Sequence, residues 1–308
     1  MWSRTASATS SGTCEPPAFS KSAQSDRSAG NWARSAERSC SRSMSEEHNR
    51  FMNRLAVQMY TLRDLVKTRE GFETALEIIH GIGYGGVQLS AVGCMDGDNP
   101  EVTAQEAREM ADANGLVCVA THRPLKRLEE KTDEEIAFHK TLGCPYVGIG
   151  GWFEDTANPE SWHGLLKRLD PVIDRLNAAG LTFLYHNHAH EWIKNPEDGR
   201  PFIEMLIDDP RIAILVDTYW VQHAGPDPAA FLRRLKGRVP VVHLKDKEVV
   251  AEGPTFAPVG EGNLDWDSIL AACAEAGTEW YVVEQDICRR DPFDCLASSF
   301  EYLAEKGL

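Results

Sequence analysis

The stretch Leu181-Thr182-Phe183-Leu184-Tyr185-His186-Asn187-His188-Ala189-His190-Glu191-Trp192 is an apolar run that ends abruptly in three alternating histidines and a glutamate. In a strand, successive side chains face opposite ways, so His186 and His188 share one face and Asn187 takes the other. Two imidazoles at the end of a buried strand cost free energy unless a metal ion, a substrate or a proton-transfer role satisfies them. The pattern recurs downstream. Ile212-Ala213-Ile214-Leu215-Val216 ends in Asp217, Val239-Pro240-Val241-Val242 ends in His243 with Lys245 and Asp246 beyond, and Trp280-Tyr281-Val282-Val283 ends in Glu284, Gln285 and Asp286. Four successive apolar segments each deliver a histidine or a carboxylate at their C-terminal end. Together they describe a site.

Working outward, strands are expected to begin near Leu55, Gly86, Leu116, Tyr146, Leu181, Ile212, Val239 and Trp280. Helical patterns fall between them over 70–80, Ala104–Ala113, 133–142, 162–179 and Trp266–Ala276. Gly83, Gly115, Gly143, Gly180 and Gly277 stand where a helix C-cap precedes the next strand. Asp265 or Asn263 is placed to cap the helix that holds Trp266. The strand starts recur about every 30 residues, and eight such units in roughly 255 residues match an α/β protein built as a closed (β/α)8 TIM barrel. A doubly wound open sheet would carry a glycine-rich turn after its first strand. Gln58-Met59-Tyr60-Thr61-Leu62-Arg63 contains no glycine.

The net charge of -15 argues against nucleic acid and against an anionic membrane surface as partners, because both need a basic footprint. No apolar run approaches the roughly 20 residues of a membrane span. The eight cysteines lie far apart with no C-x-x-C pair, and Cys118 and Cys144 sit in or beside apolar runs. Reduced core thiols in a cytoplasmic protein fit that spacing better than a disulfide scaffold or a zinc-thiolate site. Residues 1–50 read differently, being rich in Ser and Arg and poor in acid before Glu46. With no apolar segment of the secretory type they resemble a transit peptide in composition. The plainer expectation is a disordered extension, translated from upstream of a start at Met44 or Met52, ahead of a barrel domain spanning 51–308.

In a barrel, the ends of different strands converge on one mouth. His186 or His188, Asp217, His243 and Glu284 would then line a contiguous arc. This mixed N/O set suits one divalent ion: Mn2+ is the expectation, with Co2+, Zn2+, Fe2+ or Mg2+ as alternatives. His122, closing the third strand at 117–121, is a candidate for substrate contact or general acid work. Lys245, one pleat after His243, is placed to stabilise an oxyanion. Trp152 and Trp220 are candidate walls of the pocket. His80, His139 and His163 fall in helical patterns and are expected to be solvated. Asp133-Glu134-Glu135 reads as the acidic first turn of a helix.

The words Tyr185-His186-Asn187-His188-x-x-Glu191-Trp192, Asp217-Thr218-Tyr219-Trp220, His243-Leu244-Lys245-Asp246 and Val283-Glu284-Gln285-Asp286 resemble the sugar phosphate isomerase/epimerase family. That family belongs to the xylose-isomerase-like TIM barrel superfamily, with inosose dehydratases, ketose 3-epimerases and apurinic endonucleases. The likeness runs from about Leu55 to the C-terminus, and Gly260-Glu261-Gly262-Asn263-Leu264-Asp265-Trp266 is similar to the family's loop before the seventh helix. It implies a divalent metal held by residues of strands five to eight, here His186, Asp217, His243 and Glu284. His188, Gln88, Trp152, Trp220 and Glu191 are expected as substrate contacts. The chain departs from the epimerase pattern at three places. The fifth-strand position holds His186 or His188 instead of glutamate, Trp220 stands where epimerases carry histidine, and Gln88 stands where many relatives carry glutamate.

The resemblance therefore implies a metal-dependent sugar or sugar phosphate isomerase/epimerase. It would act through an enediolate, with His186 or His122 and Glu284 moving the proton. A metal-dependent lyase of the inosose dehydratase or 3-keto-glycoside-cleaving type is the alternative, and a non-catalytic sugar-binding module is the different-class alternative. Apurinic endonuclease is disfavoured by the acidity of the chain. The expected partner is a small-molecule sugar, and a homo-oligomer is compatible with this reading.

Overall fold

The computed structural model describes residues 54–308. The expected extension over 1–50 lies outside the described residues. The barrel strands are β1 (Leu55–Gln58), β2 (Gly86–Leu89), β3 (Val117–His122), β4 (Tyr146–Ile149), β5 (Thr182–His186), β6 (Ala213–Asp217) and β7 (Val241–Leu244). A hairpin of β8 (Asp246–Val250) and β9 (Gly253–Ala257) follows, and β10 (Trp280–Val283) supplies the eighth stave. The closed order is β1-β10-β7-β6-β5-β4-β3-β2, with every neighbour parallel. All eight expected strands are present. The antiparallel β8–β9 pair was not anticipated, because Lys247, Glu248 and Glu252 interrupt its apolar pattern.

Helices α1 (Arg69–Ile82), α2 (Ala104–Ala113), α3 (Leu125–Glu130), α4 (Thr132–Leu142), α5 (Pro159–Ala178), α6 (Ile203–Asp208), α7 (Thr218–Ala224), α8 (Pro228–Arg234), α9 (Trp266–Ala276) and α10 (Pro292–Glu305) lie between the strands and after the last. Their apolar stripes cause the wrapping. In α1, Phe72, Ala75, Leu76 and Ile79 recur at helical spacing and are buried. Each such Leu, Ile or Phe contributes about 1.5–3 kcal/mol. The caps are local in origin: Thr103 and Glu106 form a reciprocal capping box on α2, and the Asp265 carboxylate accepts from Ser268 N on α9. Gly143 and Gly277 end α4 and α9 in the left-handed region that a Cβ disfavours.

Residues of alternate parity fill the barrel interior. Ala56, Ala120, Tyr146, Leu184, Leu215, Val241 and Val282 form one apolar layer. Gly86 makes room for this layer, since a Cβ there would lie 2.8 Å from Val119 Cγ1. The β2–β3 register slips between Val87 and Gln88, which leaves Val119 as the extra residue of a bulge beside the mouth. Advancing two residues along each strand from the apolar layer reaches the site.

Candidate metal centre and pocket

Strand parity delivers a polar side chain from seven of the eight staves at that level: Gln58, Gln88, His122, His186, Asp217, His243 and, just past β10, Glu284. All except His122 are buried. β4 contributes Gly148, where a Cβ would lie 3.1 Å from the His122 ring, so the glycine leaves that space open. One ligand-type atom from each of His186, Asp217, His243 and Glu284 lies within 4.8 Å of the others. The sequence left open whether His186 or His188 belongs to this group. His186 is the member, and His188 sits one pleat further out, its ring 4.7 Å from that of His186 and 5.3 Å from that of Trp220.

The hydrogen bonds of this cluster do not close. Gln88 Oε1 can only accept, so His243 Nε2 carries the hydrogen and donates to it at 2.8 Å. His243 Nδ1 then faces Glu284 Oε2 at 2.9 Å without hydrogen-bond alignment, and the same oxygen lies 2.9 Å from the Lys245 ammonium. Two lone-pair donors this close, with no aligned proton between them, fit a common cation. His186 Nδ1 is also buried without a partner, while its Nε2 lies 3.2 Å from Asp217 Oδ2. The other Asp217 oxygen accepts from Trp220 N at 3.0 Å as the cap of α7, and Asn187 Oδ1 accepts from Asp217 N. The aspartate is thus fixed from its own helix and from the outward face of β5.

Lys245 adds the one fixed positive charge. Its ammonium lies 3.0 Å from Asp217, 2.9 Å from Glu284 and 2.8 Å from Asp286. Burial opposes that charge, but the three carboxylates outweigh it and keep the lysine protonated. Burial likewise pushes the Asp217 and Glu284 carboxyls upward, and Lys245 with the neighbouring histidines overcomes this, so both are held well below the usual range. His122 goes the other way. Burial, reinforced by His186 and His243, holds its imidazole well below the ordinary value. That direction favours the neutral ring.

A cavity of about 280 Å3 opens above the cluster, lined by Tyr60, Ser90, His122, Gly150, Phe153, His186, His188, Lys245, Glu284 and Asp286. Several expected contacts stand elsewhere. Glu191 is 0% exposed, with Oε1 accepting from Tyr185 O–H and Oε2 from His188 N, so it braces the end of β5 and does not reach the cavity. Trp152 donates from Nε1 to Ser161 Oγ and packs inward. Its neighbour Phe153, 62% exposed, is the aromatic wall. Gln88 supports His243 from behind. Trp220 packs at a tilt against His188 and lies under the Lys245 ammonium at 5.7 Å, backing the cavity without lining it.

The Gly260–Trp266 loop owes its pattern to Asp246. That buried carboxylate accepts from Gly260 N, Gly262 N, Leu264 N and Trp266 Nε1. A Cβ on Gly262 would sit 2.3 Å from Asp246 Oδ1, so the loop closes over the carboxylate only with glycine there. Among the histidines expected to be solvated, His80 and His163 are exposed, but His139 is fully buried. Cys118 and Cys144 are buried free thiols, as their apolar surroundings led us to expect. Among the described residues, no helix is long and apolar enough to cross a membrane.

Residues 76–305 match the family model described as xylose isomerase-like TIM barrel, and the chain belongs to that family. It is 27% identical over 166 residues to an inosose dehydratase of Clostridium tetani, covering 48% of this chain and 55% of that protein. The chain thus spans about half the length of the first curated relatives it matches. A sugar phosphate isomerase/epimerase from Parabacteroides distasonis superposes with a TM-score of 0.68 at 18% identity, over 81% of this chain and 92% of that one. An L-ribulose 3-epimerase superposes with a TM-score of 0.62 at 17% identity, over 83% and 94%.

Proposed function

We propose that this protein is a divalent-metal-dependent enzyme that removes the proton alpha to the carbonyl of a sugar or cyclic polyol ketone and returns it, an isomerase/epimerase acting through an enediolate. The observation that carries this is the facing pair His243 Nδ1 and Glu284 Oε2 within the four-residue cluster. His186, Asp217, His243 and Glu284 would hold the ion, and their N/O set without thiolate suits Mn2+. A bound ion would supply polarisation of the substrate carbonyl and so acidify the adjacent C–H. Lys245 is placed to stabilise the developing oxyanion, with Trp220 and Phe256 behind its ammonium. His122, on the stave diametrically opposite Lys245 in the barrel order, is the neutral base facing it.

A second outcome of the same proton removal is elimination, in which the C–O bond beta to the carbonyl breaks and the departing oxygen takes a proton. One observation favours it. The wall opposite Lys245 carries an imidazole, not the second glutamate that epimerisation by two carboxylates employs, and Gln88 in place of glutamate is already bound to His243.

The test is solvent deuterium exchange with Mn2+-loaded protein and a panel of ketoses, inososes and 3-keto-glucosides. Exchange into the alpha carbon, abolished by chelator, is expected. Recovered ketone with altered stereochemistry identifies the isomerase, and an unsaturated product the lyase. No metal-dependent exchange with any of them overturns the proposal.

A further inference from the structure

Beside the metal-centred cavity lies a second one of about 210 Å3, lined by the apolar Leu89, Ala91, Val92, Met95, Pro124 and Phe138 and by the polar Asp96, Thr121, His122 and Arg123. His122 is the wall the two share, for it lines both. Ser90, which belongs to the first cavity, is flanked in the chain by Leu89 and Ala91, which belong to the second. Ala91 holds a φ of 53°, a left-handed conformation that a residue with a Cβ adopts at a cost, where the chain turns along this boundary. The ring between the cavities is held on one side only. His122 Nδ1 lies 3.4 Å from Ser90 Oγ, whereas its Nε2 is buried and has no partner. Beyond the second cavity, and sharing Met95, Asp96, Arg123, Pro124 and Phe138 with it, is an outer hollow of about 500 Å3 that adds Asp98, Arg127, Lys131 and Glu134.

We infer that the second cavity is a subsite for an apolar, aromatic aglycone, and that the substrate is a keto-glycoside whose sugar occupies the metal-centred cavity. This rests on the carbonyl-sugar reading given above and adds its substrate class. The size fits: an apolar cavity of ~150 Å3 accepts a benzene ring, so 210 Å3 holds one substituted ring and little more. The chemistry fits as well. A free sugar leaves Leu89, Val92, Met95 and Phe138 wet, and an all-polar second unit would lose hydrogen bonds against them. The outer hollow balances three cations (Arg123, Arg127, Lys131) against three carboxylates (Asp96, Asp98, Glu134) and suits polar ring substituents, not a phosphate. The glycosidic oxygen joining the two parts would cross beside His122, where the unpartnered Nε2 can donate to or accept from it.

Binding separates the possibilities. Calorimetry on Mn2+-loaded protein compares methyl and phenyl 3-keto-glucosides, with p-nitrophenol alone as a probe that needs no sugar site. The phenyl compound is expected to bind at least tenfold more tightly than the methyl one. In Met95→Trp, which fills the cavity, that ratio should fall below twofold with methyl binding unchanged. Val92→Phe is the second variant, and equal melting temperatures show that either is folded. Equal binding of methyl and phenyl compounds by the wild type overturns the subsite while leaving the sugar reading intact. Binding of p-nitrophenol that Met95→Trp abolishes, with no keto-glucoside bound at all, supports the pocket and overturns the sugar reading. Failure of p-nitrophenol and of both glucosides overturns both.

Discussion

Two sets of imidazoles in this molecule obey opposite rules. His139, on α4, is saturated: the Glu135 carbonyl can only accept, so Nδ1 donates to it at 2.6 Å and Nε2 accepts from Thr121 O–H at 2.7 Å. One residue along β3 from Thr121, and so on the opposite face, His122 points to the interior with His186 and His243, where Nε2, Nδ1 and Nδ1 respectively have no hydrogen bond. Native interiors leave few buried polar atoms unpaired. The saturated ring needs nothing more and belongs to the fold. The unsaturated cluster needs a ligand and belongs to the site.

The sharpest way to break this contrast is to exchange the consequences. Glu284→Gln is expected to lower metal-dependent turnover by ~1,000-fold or more, the range that loss of a metal or acid–base group produces, while the melting temperature of the metal-free protein moves little. His139→Ala should do the reverse. Loss of the ring leaves the Thr121 hydroxyl without its partner beside a cavity, costing about 2–4 kcal/mol in denaturant titrations, with turnover retained. A His139→Ala variant that is stable but inactive would erase the distinction.

Acid sharpens it further. Burial first, only partly offset by Glu135, holds the His139 pKa at about 4 against an ordinary 6.5. The unfolded chain therefore binds the extra proton first as pH falls. The stability that neutral His139 confers is complete above pH 6.5 and is lost progressively down to about pH 4. The lost amount is at most ~3 kcal/mol by linkage. Urea midpoints of wild type and His139→Ala across that window should converge on acidification, and parallel curves would contradict the assignment. A smaller effect is expected at Gln88. Replacing the acceptor that orients His243 by Gln88→Leu should weaken metal binding by roughly 10–100-fold, as for other groups that orient a metal-binding histidine. Unchanged affinity would show that Gln88 does not position His243.

The same contrast shows what the sequence could reveal. Asp217, His243 and Glu284 were legible because each ends an apolar run, and strand parity then fixes the face. His186 and His188 share a face, so parity alone could not choose between them; the depth at which β5 stops decides for His186. His139 was misread because its helix is acidic and weakly patterned. Yet Thr132, Glu135, His139 and Leu142 recur at spacings of three, four and three, the buried stripe of α4. Glu135 tolerates burial there because Arg123 and Arg127 pair with it. Phe153 replaced Trp152 as the cavity wall through loop geometry after β4, where the preceding Gly151 has a φ of 114° that no pattern of polarity encodes. The β8–β9 hairpin escaped because its role is local: it carries Asp246, which gathers the glycine loop.

The most direct measurement is thermal unfolding of wild type, Asp217→Ala and Glu284→Gln, each with chelator and with a graded excess of Mn2+. A ligand that binds only the folded state stabilises by about 2.7 kcal/mol at one hundred times its dissociation constant. The wild-type melting temperature is therefore expected to climb steadily with Mn2+, and those of the two variants to stay flat. A wild-type curve that ignores the ion, or variants that climb alongside it, would contradict the claim that His186, Asp217, His243 and Glu284 form a metal centre.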